Sequence, residues 1–208
     1  MPNVLAPNGF QQFGRQDGGS PTAGLTTRKI FAASANFATP IGRGDPVVTD
    51  GATGGIVMAP AGAAPAQGLA GVFYSCEYVS AAVGKLVFSP FWPGGDNTIV
   101  PGTDVIAHIV DDSDQLFVAQ VVGGPATDAH VGSGANLADV NAPNVFTGDS
   151  TNGVALDGAA LASAGFRVVG LLTDYVSPSE QAIDDSAPNN FVVVAPNNWA
   201  RKQLAGVA

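Results

Sequence analysis

Three carboxylates, Asp111, Asp112 and Asp114, crowd one short stretch just after His108. Acidic side chains at that spacing can hold a cation or, beside a histidine, work as general acid and base. A calcium loop of the EF-hand type starting at Asp112 needs an oxygen ligand at its fifth position and a glutamate at its twelfth. Leu116 and Gly123 stand there. The cluster therefore reads as turn chemistry, with Asp and Ser side chains bonding nearby backbone amides, and no metal site is expected. His108 alternates with apolar residues and reads as a partly buried strand residue. His130 lies in a Gly-rich loop and reads as exposed.

Other reactive patterns fare no better. Gly148-Asp-Ser-Thr-Asn-Gly153 misses the Gly-x-Ser-x-Gly spacing of a hydrolase elbow by one residue and lacks the apolar strand that should precede it. Gly84-Lys85 is followed by Leu86, with Val79 where a phosphate loop needs glycine. No nucleotide site, cofactor site or catalytic set emerges, and a non-enzymatic protein is expected. Cys76 is the single cysteine. It shares strand parity with Val72, Tyr74 and Tyr78 and reads as a buried thiol. Arg43-Gly44-Asp45 matches a cell-adhesion tripeptide, but a turn uses every neighbour: Gly42 and Gly44 permit positive φ, Asp45 caps, and Pro46 opens a strand.

Elements able to position these residues are short. The chain has 208 residues, 46% of them apolar and only 12% charged, with 27 Gly and 15 Pro spread along its length. That composition suits many short strands joined by turns. Net charge is −9. Acidic residues dominate from Leu86 to Ala200, where Arg167 is the single basic residue. No basic stripe exists for phosphates, so nucleic-acid binding is not expected. No stretch reaches membrane-spanning length, and the start lacks the apolar core of a signal peptide. Synthesis in a cytoplasm is expected.

Residues 1–27 are polar and turn-rich, with Phe10, Phe13 and Leu25 isolated among them. They read as a disordered terminus or as an extended arm that orders on a neighbouring subunit. From Arg28 to residue 200 the segments RKIFAAS, PVVTD, GGIVMAP, GLAGVFYSCEYV, GKLVFSPFW, DVIAHIVDD, QLFVAQVV, FRVVGLL and FVVVAP carry the strand signature. Several are apolar on both faces. The expected fold is all-β, a compact β-barrel or β-sandwich with long loops and that N-terminal arm. From about residue 125 the strands either form a second lobe or close the first sheet. Residues 201–208 read as a tail.

The order GDPVVTDG, LAGVFYSCEYV, GKLVFSPFWPGG, AHIVDDSDQLFVAQ and VGSGANLAD, with the opening NVLAPNGFQQFGRQDGG and the later FRVVGLL and NNFVVVAPNN, resembles the head decoration (capsid cement) proteins of tailed bacteriophages. The resemblance implies a β-rich protein on the outer surface of the virion capsid, tying major capsid proteins together. It also implies a trimeric or otherwise clustered homo-oligomer. Rival expectations are a tail or fibre component of the virion and, more weakly, a hydrolase using Asp111, Asp112, Asp114 and His108. Clamping needs apolar and backbone contacts multiplied across a lattice rather than special side chains. Candidate interface residues are Phe10, Phe13 and Arg15 of the arm, the basic pair Arg28 and Lys29, Phe91 and Trp92, and the terminal Trp199, Arg201 and Lys202. The aromatic segment has a second reading as core, under a strand end stiffened by Pro90 and Pro93.

Overall fold

A computed structural model describes residues 4–21, 25–64, 67–95, 98–138, 141–156, 161–174 and 186–200. The chain is all-β. Its strands are β1 (Gln11–Arg15), β2 (Leu25–Ile30), β3 (Pro46–Thr49), β4 (Ile56–Met58), β5 (Gly71–Val79), β6 (Leu86–Ser89), β7 (Val105–Val110), β8 (Gln115–Gln120), β9 (Gly134–Leu137), β10 (Val154–Ala155), β11 (Phe166–Leu171) and β12 (Phe191–Pro196). Each expected apolar segment yields one of them, because β-branched and aromatic runs bounded by Gly, Pro or Asp gain most by burial on a pleated surface.

Two antiparallel sheets form. One runs β1-β8-β12-β11-β9-β10, and the other runs β2-β7-β5-β3-β4 with β6 paired to the far end of β5. Neither closes into a barrel, so the architecture is a sandwich. Between the sheets lies an apolar core containing Val72 and Val110 from one side and Phe117, Phe166, Val192 and Val194 from the other. A second core fills the opposite face of the β5 sheet, with Phe73, Cys76, Val105, Ala107 and Ile109 roofed by Phe37, Ile41 and Trp92. The indole N–H of Trp92 donates to the Phe37 carbonyl at 3.1 Å, and its ring meets Phe37 and Tyr78. The core reading of Trp92 is the correct one.

Two details depart from expectation, and one of two open alternatives is decided. The N-terminal stretch folds onto its own chain: β1 pairs β8 and β2 pairs β7. Residues 11–15 are all half-buried, so no alternation marks β1; backbone pairing rather than burial makes it a strand. Strands after residue 125 do not make a separate sheet, since β12 sits between β8 and β11. The parity of β5 also breaks. The register shifts between Phe73 and Ser75, so Tyr74 is an extra residue that turns outward at 41% exposure. Cys76 is buried as expected, but on the face of Phe73 and Tyr78 rather than that of Tyr74.

Candidate docking surface

Arg43-Gly44-Asp45 is an internal brace. Gly44 takes φ +92°, which only glycine adopts cheaply, while Gly42 keeps an ordinary φ. Gly42 is needed for close approach instead: a Cβ there would lie 2.6 Å from Pro143 Cβ and 2.8 Å from the Ser150 nitrogen. Asp45 is fully buried. Its carboxylate accepts from the Gly42 N–H at 2.6 Å, from Asn152 Nδ2 at 2.6 Å and from the Ser150 hydroxyl. Burial outweighs these donors and pushes its pKa up to about 6. No adhesion receptor can reach a carboxylate so placed, so turn chemistry is the right account of the tripeptide.

The brace fixes one loop. Arg43 donates from Nε and Nη2 to Asp149 Oδ1 at 2.8 and 2.6 Å. The Arg43 N–H donates to the Gly148 carbonyl, and the Ser150 N–H to the Arg43 carbonyl. Within the loop, the Gly148 N–H donates to Asn144 O at 2.7 Å, the Asn144 N–H to Asp149 O at 2.8 Å and the Phe146 N–H to Asn144 Oδ1 at 2.9 Å. Gly148, at φ +76°, lies so close to Pro90 and Phe91 that a Cβ would come within 3 Å of each. This frame lifts Val145 and Phe146 into solvent at 68% and 95% exposure. Through Gly148 the loop rests on exposed Pro90 and half-buried Phe91, which follow the end of β6, whose Phe88 is 72% exposed. With the backbone already fixed, docking the ring would cost only its own side-chain freedom. Such aromatics anchor interfaces.

The acidic cluster is occupied by the chain itself. Asp111 is buried and accepts from the Thr26 hydroxyl at 2.7 Å. Asp112 pairs with the Arg15 guanidinium and accepts from the Asp114 N–H. Arg15 thus sits where a cation would, tying β1 to the β7–β8 turn. Among the described residues no three His, Cys, Asp or Glu side chains converge as metal ligands would. His108 is half-buried, with Nε2 3.9 Å from Glu77. His130 is half-buried rather than exposed, its Nδ1 accepting from the Thr127 N–H at 3.0 Å. The Cys76 thiol donates to Phe91 O, and burial pushes its pKa up to about 12, leaving it unreactive at neutral pH.

The sequence-based interface set divides accordingly. Phe10, Trp92 and Trp199 are core residues at 2%, 0% and 0% exposure. Phe10 stacks on Phe166 with centroids 4.3 Å apart. Their size suits burial as well as binding, and in this fold burial takes them out of reach of a partner. Phe13 packs half-buried against Leu116, Val193 and Ala195. Arg15 is bound to the acidic turn, and Lys29 pairs with Asp104 at 2.5 Å. Arg28 is exposed and Phe91 half-buried at the surface just described. Arg201 and Lys202 lie outside the described residues. Val145 and Phe146 were missed; the signal was a lone aromatic set among turn formers in Asn144-Val-Phe-Thr-Gly148. In comparisons with known proteins, no family model, curated protein or solved structure matches the chain.

Proposed function

We propose that this chain is a non-enzymatic structural protein of a phage virion. It decorates the outside of the capsid and cements neighbouring major capsid proteins against the pressure of packaged DNA. It acts as a homo-oligomer, for which the resemblance favours a trimer, and engages neither nucleic acid nor membrane. What supports the reading is the Phe146 loop: a 95% exposed phenyl ring on a backbone held by its own hydrogen bonds and by Arg43–Asp149. Such a device serves adhesion between proteins rather than catalysis. An acidic cluster bound to Arg15 and Thr26 fits the same view. Repetition over a symmetric shell multiplies each modest contact.

The test is the copy number of this chain relative to the major capsid protein, by quantitative mass spectrometry of purified particles. A reproducible simple fraction is expected. A handful of copies per particle would move the chain to the tail, and absence from particles would end the virion reading. Arg28 gives a second check, because it is exposed and makes no ion pair with any described residue. Arg28→Glu is expected to weaken capsid binding by up to about fivefold per contact, the upper range for exposed charge pairs. Lys29→Glu should weaken it too, while also breaking the pair with Asp104. Unchanged occupancy of both variants at moderate salt would exclude a basic contact there.

A further inference from the structure

Strand β6 leaves one edge of its sheet open. The Ser80 N–H donates to Lys85 O at 2.9 Å. Antiparallel pairs alternate between bonded and non-bonded, so Val87 and Ser89 bond β5 while the backbone groups of Leu86 and Phe88 point outward. β6 pairs with β5 and with no other described strand. The side chains of Leu86 and Phe88 are 56% and 72% exposed. They share a face with Val79, Glu77 and Ile106, which stand directly opposite along the rows Leu86–Val79 and Phe88–Glu77–Ile106. Val79, Glu77 and Ile106 are half-buried, so Leu86 and Phe88 form an apolar overhang beyond the sandwich core, with Glu77 as the one charged neighbour in their rows. Natural edges are normally blunted by charge along the strand; here Lys85 and Pro90 stand at its two ends.

We infer that the β6 edge pairs with β6 of a second copy of this chain, antiparallel about a two-fold axis through Val87. Two outward residues spaced two apart make a self-complementary edge. Leu86 of each copy falls opposite Phe88 of the other, and four apolar side chains join into one strip flanked by Val79 and Glu77 of both. Charge favours this occupant at this edge and disfavours it elsewhere. The chain carries −9, yet from Tyr78 to Gly95 it has no acidic residue and only Lys85 is charged. In the pair, Lys85 lies across from Ser89. The two Glu77 residues are three strand spacings across and two residues along from each other, about 16 Å, beyond the screening length of about 8 Å at physiological salt. Pro90 lacks the next outward N–H and ends the ladder. An isologous pair closes on two copies, in place of the three that the resemblance implies.

This pairing rests on the self-association in the reading above and not on the capsid as partner, so the isolated full chain tests it. Sedimentation equilibrium over a range of concentrations is expected to show a monomer–dimer equilibrium. Phe88→Glu and Leu86→Lys, each with unchanged circular dichroism and melting, are expected to sediment as monomers wherever the wild type is dimeric. Hydrogen exchange at the Leu86 and Phe88 amides should slow in step with the dimer fraction. A wild type monomeric throughout, or any oligomer that survives both substitutions with those amides unprotected, overturns the pairing. Copy number on particles is measured separately, so failure of one reading leaves the other standing.

Discussion

Phe146→Asp is expected to leave the melting temperature where it is and to lower affinity for particles stripped of the protein by about 30-fold or more. The two halves of that expectation have separate causes. At 95% exposure the ring contributes almost nothing to the fold, and surface changes of this kind stay within about 0.5 kcal/mol. An aromatic anchor at the centre of an interface carries about 2 kcal/mol or more, and each 1.4 kcal/mol is about tenfold in affinity. The carboxylate would also have to be desolvated on docking, which adds to the loss. Binding of purified protein to stripped capsids, read against differential scanning calorimetry, separates the two. Equal occupancy with equal melting would remove Phe146 from the docking surface. A lowered melting temperature would show that the loop belongs to the core after all.

The second large effect concerns Asp45. Asp45→Ala is expected to cost about 3 kcal/mol or more, because it leaves the Gly42 N–H and the Asn152 amide without their acceptor at about 1–3 kcal/mol each. It should also free the Phe146 loop, since Asn152 and Ser150 follow that loop directly. The same residue predicts an unusual pH profile. Its folded pKa, about 6, lies above the ordinary carboxylate value, so the folded state prefers the protonated form. The stability this confers is fully present below the unfolded pKa of about 3.9 and is lost as pH rises through about 6. The full span corresponds to about 3 kcal/mol. Urea unfolding at pH 4.5 and pH 7.5 should therefore show the greater stability at the lower pH, and Asp45→Asn should flatten the difference. A wild-type profile that rises with pH over this window would mean that the three donors outweigh burial and hold Asp45 ionised.

The two predictions are linked through one architectural fact. Asp45 and Asn152 are 107 positions apart, yet they bond at 2.6 Å. Arg43 and Asp149, 106 apart, bond from both Nε and Nη2. A short sequence match with a known adhesive use thus serves as a bracket for a distant loop, and its charged groups are consumed in doing so. Perturbing the bracket and perturbing the loop tip should be told apart readily. One unfolds and unbinds, and the other only unbinds.

Strand identity was legible in the residues. Runs such as Val105–Val110 and Phe191–Pro196 are apolar and β-branched between turn formers, and that local chemistry can be satisfied only by extended chain packed on a core. The all-β class follows from the same cause, and so does the turn at Gly44-Asp45. Sheet order did not follow, because it depends on which edges find one another across long separations. β1 shows this best: Gln11–Arg15 carries no burial pattern and becomes a strand only because β8 offers an edge and Asp112 a counter-charge for Arg15. Tertiary packing likewise chose between core and surface for the aromatics. Phe10, Trp92 and Trp199 are as large and as isolated in sequence as Phe88 and Phe146. The first three found enclosed space between or behind the sheets, whereas Phe88 stands on an overhanging edge and Phe146 on a loop too tightly tied to fold inward. Composition determined that this protein would be built of short strands; long-range pairing, which no local stretch encodes, decided which side chains are enclosed and which are left at the surface.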